Sequence, residues 1–452
     1  MATPIAQRLP APGATLLTAW SVWALLLGMG LLMLGNGMQG TLLGLRASDE
    51  GFSGTVTGLV MSGYFAGFLG GAALAPVIIR RAGHVRVFAA MASLASVAIL
   101  VHAMLVTPAV WGAMRVLTGF AYCGLFIVTE SWLNDRASNE TRGRLLSIYL
   151  VITYVAMGGG QLTMNLASPE GYTLFLLNAI ILSLALVPIL LSANREPDTS
   201  TPEPLDLRQL YRISPLGTVG TFAVGMSHGA VFGMAAVFAR GYDLSVAEVS
   251  VFMAALIAGG ALLQWPIGRL SDRMDRRRVI TLVAATVAVL AAVAVPVGRS
   301  SDAGLVAIGF VFGGTVLPMY SLYVAYTNDH LKPSQMVAAS SGLYKAVAVG
   351  AVIGPSLTGW LMDLVGPAGF LWYFCALHVA MVVFALYRMT RTESPTLEEQ
   401  AQYAPVPMTD RTGGLTESWV EEFVQDEGET TDAPADEASA AQPPDAAGGP
   451  RD

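Results

Sequence analysis

The chain has 452 residues, of which 54% are hydrophobic and only 13% charged, with 48 glycines and a formal net charge of −7. A soluble domain carries about 25% charged residues, so the main body is not a water-soluble globular protein. The negative sign is local: residues 391–452 hold 15 acids and 3 arginines, a net of −12, which leaves the rest of the chain at +5.

Runs of roughly 20 apolar residues mark helices that cross a bilayer. Twelve are predicted, at 18–44, 54–79, 86–106, 109–132, 144–167, 172–193, 217–239, 246–268, 279–298, 303–327, 336–362 and 369–390. The first is too long for a signal-peptide core and only Arg8 precedes it, so it is read as retained. It carries Asn36 and Gln39. Helix 2 has Gly63, Gly67 and Gly71 four apart. Small residues at that spacing let two backbones approach closely, whether for packing alone or for sliding.

Helix 4 carries two intramembrane charges, Arg115 and Glu130, each costly in lipid and therefore a pointer to a site. Fifteen residues put them about 22 Å apart along the helix, so they do not pair with each other. Arg115 suits a fixed anion clamp. Glu130 is the fully intramembrane carboxylate and is the candidate proton carrier by elimination; structural pairing with neighbours is the competing reading. Helix 5 opens at Arg142-Gly143-Arg144, and further along it Gln161 and Asn165 share one face. Gly158, Gly159 and Gly160 are expected to face Gly259 and Gly260 of helix 8.

His228 lies midway along helix 7 and Gln264 on helix 8. Tyr320 and Tyr323, with Tyr326 below, form a stripe on helix 10. Lys345, one of two lysines against 23 arginines, sits on helix 11. A buried lysine can lose its proton where an arginine does not, so Lys345 suits a counter-ion or a titrating switch. Singly, each polar residue is helix–helix glue as readily as a ligand. Together they suggest an amphipathic, partly aromatic substrate with an anionic group. Cys123 and Cys375 fall in apolar runs and are read as core residues, with no disulfide and no metal site.

Charge sets orientation. With the N-terminus inside, 18 Arg and Lys residues fall on the cytoplasmic side, against Arg46, Arg240 and Arg299 outside. The positive-inside rule then places both termini in the cytoplasm. Beyond the last helix the acidic, Pro- and Ala-rich tail reads as disordered. One island in it, Leu415, Trp419 and Phe423 with Ser418 and Glu421, has the spacing of a short capped helix and could dock a partner.

The chain reads as duplicated. Asn134-Asp135 recurs as Asn328-Asp329 and Gly160 as Gly354, each 194 residues on. The Arg81-Ala82-Gly83 loop recurs 192 residues on as Arg273-Met274-Asp275. The expected organisation is an all-α membrane protein with two pseudo-symmetric six-helix bundles, 1–193 and 217–390. A Pro- and charge-rich linker, 194–216, joins them, and the tail, 391–452, follows.

Between helices 8 and 9 the stretch Gly268-Arg269-Leu270-Ser271-Asp272-Arg273-Met274-Asp275-Arg276-Arg277 is too polar for lipid and reads as a tight loop. Its Gly-x-x-x-Asp-Arg-x-Asp-Arg-Arg spacing resembles the helix 2–3 and helix 8–9 loops of the major facilitator superfamily. Arg115-Val116-Leu117-Thr118-Gly119, Glu130-Ser131, Arg142-Gly143-Arg144-Leu145-Leu146, Tyr149, Tyr154, Gly160-Gln161 and Gln264-Trp265-Pro266-Ile267-Gly268 further resemble its YcaD-type bacterial branch. The resemblance covers roughly residues 15–392.

The resemblance implies a secondary transporter in which two lobes rock around a midplane site lined by helices 1, 4, 5, 7, 8, 10 and 11. It implies that Asp272 docks on the N-terminus of helix 5 near Arg142, with Arg273 and Arg276 assisting, and so latches the outward-open state. The first-half copy has Pro76 and Arg80 where glycine and aspartate are usual, which leaves that latch one-sided. The expected substrate is a small organic anion or amphipathic solute crossing the bacterial inner membrane, with protons as the coupling ion and uptake favoured. Proton-driven efflux of amphipathic toxicants is the alternative; a membrane receptor acting through its tail is the alternative of another class. No soluble-enzyme, cofactor, metal or nucleic-acid signature is found, and a monomer is expected.

Overall fold

The computed structural model describes residues 23–136, 139–191, 207–297, 301–331, 333–391, 400 and 403. These are all helices and connecting turns. Among the described residues, twelve helices are long and apolar enough to span a membrane. They are α1 (Trp23–Asp49), α2 (Gly54–Ala82), α3 (His84–Met104), α4 (Pro108–Leu133), α5 (Leu145–Leu166), α6 (Thr173–Leu191), α7 (Pro215–Arg240), α8 (Val246–Arg273), α9 (Arg276–Val297), α10 (Asp302–Asn328), α11 (Ala339–Val365) and α12 (Gly369–Met389). A short helix, Leu207–Ile213, precedes α7. The protein is a multi-pass membrane protein of two six-helix bundles.

The predicted elements recur with changed ends. The stretch read as a loop between helices 8 and 9 is mostly helical: Gly268–Arg273 are the last turns of α8, Arg276–Arg278 the first turn of α9, and only Met274 and Asp275 lie between them. Likewise Gly83 alone separates α2 from α3, at a φ of 84° that L side chains resist. The face carrying these two turns and the end of α12 is called the motif face below. At the opposite face the helix starts are capped. Ser53 accepts from Val56 at the start of α2, and Ser245 with Glu248 forms a capping box at the start of α8.

Glycines set the packing within each bundle, and they repeat. A Cβ on Gly67 of α2 would lie 1.8 Å from the Val116 carbonyl oxygen of α4, and one on Gly119 would lie 1.8 Å from that of Tyr64. In the second bundle Gly259 meets the Phe310 oxygen at 1.8 Å and Gly313 that of Leu256 at 2.0 Å. Gly37 and Gly160 lock α1 to α5 through Met157 and Leu34; Gly229 and Gly354 lock α7 to α11 through Ala351 and Met226. Every member of the second set lies 192 or 194 residues after its counterpart, the offset of the sequence repeat. Gly160 therefore packs on α1 and Gly259 on α10, not on each other as expected, and a Cβ on Gly158 or Gly159 would meet nothing. Both cysteines are free. Residues 194–206 of the linker and the tail island at Leu415, Ser418, Trp419, Glu421 and Phe423 lie outside the described residues.

The bundles meet most closely at the opposite face. Asp363, near the end of α11, accepts from the backbone N–H groups of Gly54 (2.6 Å) and Thr55 (2.8 Å) and from the Thr55 hydroxyl (2.6 Å). Ser62 of α2 bonds Ser356 of α11 at 2.8 Å. Arg240 of α7 pairs with Asp49 of α1 at 3.3 Å. Asn165 donates to Ser250 of α8 at 3.1 Å, and Ser250 donates to the Gln161 carbonyl.

Candidate functional site

A cavity lies between the bundles, lined by residues of α1, α2, α4, α5, α7 and α8, among them Asn36, Tyr64, Arg115, Phe126, Gln161 and Phe232. Its volume is about 50 Å³, room for only a few waters. Arg115 lies seven residues into α4, roughly 10 Å below the opposite face, and is 5% exposed. Its guanidinium stands over the Tyr64 ring, 4.6 Å from the centroid. Among the described residues no carboxylate pairs with Arg115, and Nε has no hydrogen-bond acceptor. A buried charge without an anion is expensive, and a cation–π contact returns only about 0.5–2 kcal/mol. The wall also offers Asn36, half-buried, and the apolar surfaces of Phe65, Phe126, Met157, Phe232 and Met253. The lining therefore sets one cation and one amide beside apolar surface.

Other residues expected at the site lie elsewhere. Gln161 borders the cavity but its amide is used: Oε1 accepts from Thr41 at 2.6 Å and Nε2 donates to the Gly37 carbonyl at 2.7 Å. It ties α5 to α1. Gln39 is fully buried and does not line the cavity, and among the described residues neither of its amide atoms has a hydrogen-bond partner. His228 is buried against α10, its Nε2 3.3 Å from the Val316 carbonyl. Tyr323 packs its ring against Gly220 of α7, so it fills core between α7 and α10. Tyr320 is buried on the same helix and does not line the cavity. Gln264 accepts from the Tyr154 hydroxyl at 3.1 Å, a cross-bundle bond outside the cavity lining. Glu130 is 1% exposed near the motif-face end of α4, and does not join Arg115.

Lys345 departs furthest from expectation. It is exposed, on a stripe of α11 shared with Val349, Ile353, Leu357, Trp360 and Leu364. The three- and four-residue spacing places all of them on one outward band. The cavity takes its positive charge from Arg115 alone among its lining residues. A lysine's long stem lets its ammonium reach the membrane surface from such a band.

At the motif face Arg276 is the hub. Its side chain is 1% exposed and forms an ion pair with Asp329, itself 2% exposed. It also donates to the Ala325 carbonyl at 3.0 Å and to Ser271 Oγ at 3.2 Å. These bonds clamp the α8–α9 turn to the end of α10. Arg277 pairs locally with Asp275 at 2.9 Å, while Arg273 is exposed. Asp272 is 38% exposed and among the described residues meets Arg276 at 3.6 Å and the backbone N–H of Tyr403 from the tail at 2.8 Å. The side chains at the start of helix 5 where the dock is expected, Arg142 among them, lie outside the described residues. In the first-half copy Arg80, Arg81 and Arg86 are all exposed.

Sequence reasoning missed three groups. Asp363 looks like any acid at a helix end, and its partners are backbone groups of Gly54 and Thr55, 309 and 308 positions away. Tyr64 looked like one more apolar residue of helix 2. Tyr403 was lost in the composition of the tail.

Two lobes of six helices, with a glycine-locked repeat and a cavity at the seam, define the rocker class of membrane transporter. The sequence matches the model of the Major Facilitator Superfamily over residues 25–217 and 217–425, and the chain belongs to that family. It is 29% identical over 348 residues to the MFS-type transporter YcaD of Escherichia coli (strain K12 / DH10B), covering 76% of this chain and 89% of the relative. It is an MFS transporter of the YcaD type. Its fold is similar to that of the nucleoside transporter NupG (TM-score 0.68, 14% identity, 82% of this chain and 99% of that one). It is also similar to a bacterial homologue of the human lysosomal transporter Spinster in an inward-facing, occupied conformation (TM-score 0.65, 16% identity, 85% and 99% covered).

Proposed function

We propose that the protein is a secondary active transporter that moves a small organic anion with an apolar, partly aromatic body across the bacterial inner membrane by alternating access. The observation that carries this reading is Arg115: a buried guanidinium in the central cavity, resting on Tyr64 with no anion of its own. A ligand carboxylate or similar group would supply the missing charge in a low-dielectric site, where a charge-assisted hydrogen bond is strongest.

Orientation supports the transport cycle. The 18-to-3 distribution of Arg and Lys puts the motif face in the cytoplasm. The face sealed by Asp363, Arg240 and Ser62 is then periplasmic, and the conformation is inward-facing. The cavity is too small for an organic solute as it stands, so loading requires the lobes to part.

The test is binding and flux with purified protein in liposomes, using radiolabelled aromatic and aliphatic carboxylates. The expected result is accumulation of at least one aromatic carboxylate, lost in Arg115→Ala and partly kept in Arg115→Lys. Ordinary affinity in Arg115→Ala would sink the anion reading. Binding without flux, with and without a pH gradient, would favour a receptor instead. Running the same assay on Glu130→Gln tests proton coupling: loss of gradient-driven uptake with exchange retained is expected if Glu130 carries the proton in the other conformation.

A further inference from the structure

We infer that the cytoplasmic tail docks in the mouth between the two bundles, with Tyr403 as its anchor, and holds the motif face open. The contact is specific in three ways. The Tyr403 backbone N–H donates to Asp272 at 2.8 Å. Its ring packs against Gly268, where a Cβ would come within 2.4 Å of Cδ1 and 2.6 Å of Cε1. Its hydroxyl is buried beside Ser321 of α10 and Gln264 of α8, though its geometry falls short of a hydrogen bond to either.

Position makes this an obstruction. Gln264 is the residue to which Tyr154 of α5 donates, and Tyr154 and Tyr403 are electrostatic neighbours. The ring thus stands at the seam between α8 of one bundle and α5 of the other. Gln400, three residues earlier, is also partly buried, with its side-chain oxygen enclosed. Tyr403 lies fourteen positions after the end of α12 at Met389, a reach of up to about 50 Å when extended. The site consists of the glycine and aspartate of the α8–α9 motif, the two positions a closed motif face would need for itself. Closing that face requires the tyrosine to leave. The tail is tethered, so its effective concentration is on the order of millimolar, and even weak docking fills the site.

The inference does not depend on what is transported, and its test needs no substrate. The chain truncated after Arg391 is placed in nanodiscs and titrated with a fluorescent synthetic peptide of residues 396–410. Saturable binding is expected, weakened about tenfold or more by Tyr403→Ala in the peptide and likewise by Gly268→Leu in the protein. In parallel, the full chain is spin-labelled at Arg81 and Arg278, exposed positions on the motif face of the two bundles. Tyr403→Ala should shift part of the distance distribution to shorter values, and added peptide should reverse the same shift in the truncated chain. No peptide binding, binding indifferent to both substitutions, or superimposable distance distributions would each overturn the proposal. The Tyr403 substitutions keep the test decisive if Gly268→Leu fails to fold.

Discussion

Asp363 reaches from α11 across the seam to Thr55 at the start of α2, taking its backbone N–H at 2.8 Å and its hydroxyl at 2.6 Å. The neighbouring N–H of Gly54 binds the other carboxylate oxygen at 2.6 Å. One side chain thereby satisfies two orphan donors of a helix that belongs to the other bundle, and it places an anion at the positive end of that helix. Asp272 was expected to play this role on the motif face. Such a cap is seen on the opposite face, where Asp363 ties the two bundles together.

Losing such a cap costs about 0.5–2 kcal/mol. Asp363→Ala should therefore shift the equilibrium away from the sealed opposite face by roughly 2- to 30-fold. Spin labels at Tyr172 and Val365, exposed on that face in the two bundles, should report a longer distance in the variant. The Arg240–Asp49 pair is a single surface contact at 3.3 Å, against three hydrogen bonds to Asp363, and a surface pair contributes about 0–1 kcal/mol. Arg240→Gln should therefore shift the distribution less. Equal shifts in the two variants would contradict this ranking.

Arg115 should trade stability for binding. Replacing a buried ion with an apolar residue of similar volume is neutral or stabilising by about 1–4 kcal/mol, so Arg115→Met should melt at the same temperature or higher while losing anion binding. Tyr64→Leu should weaken binding by about 1–2 kcal/mol through loss of the ring under the guanidinium. Lys345→Gln lies on the outward band of α11 and should leave affinity unchanged to within about 0.5 kcal/mol. A thermal-shift assay and the carboxylate binding assay decide all three. A large loss of affinity in Lys345→Gln would return that residue to the site.

The parts of this molecule that were legible in advance are those that one helix decides alone. Span length is local, so twelve apolar runs became twelve helices. The cost of a charge in lipid is local too, and it marked Arg115. Which face of a helix looks inward is not local. Lys345 carries the same kind of signal as Arg115, yet the band from Val349 to Leu364 turns it outward. Gly160 and Gly259 had the right residue type, but the partner of a small residue is set by bundle topology, which pairs α1 with α5 and α8 with α10. Asp363 accepts from the backbone of Thr55 and the backbone of Tyr403 donates to Asp272, each more than 100 positions away, which no window along the chain detects.

The ion pair of Arg276 with Asp329 should behave as a buried pair rather than as a surface charge that merely obeys the positive-inside rule. Both side chains are at most 2% exposed. Removing one partner breaks a buried pair, at a cost of up to about 3–5 kcal/mol. Arg276→Leu and Asp329→Leu should each lower the melting temperature sharply, and the double variant should be less impaired than the sum of the two. Arg277→Leu, whose partner Asp275 is two residues away in the same turn, should cost less. Additive effects in the double variant would show that the two residues do not act as a unit.

The glycine locks give the strictest test of the repeat. Gly67 and Gly259 occupy equivalent positions, and a Cβ at either would sit 1.8 Å from a carbonyl oxygen of the neighbouring helix. Backbone cannot yield as a side-chain tip does, so Gly67→Ala and Gly259→Ala should each destabilise by about 1–3 kcal/mol through overpacking. Gly158 has open space where its Cβ would be. There the helix propensity of alanine should dominate, and Gly158→Ala should gain about 0.5–1 kcal/mol. Unfolding monitored in detergent by a melt or a denaturant series should thus give two losses of similar size and one gain. A neutral Gly259→Ala beside a damaging Gly67→Ala would mean that the two bundles no longer share the same internal joint.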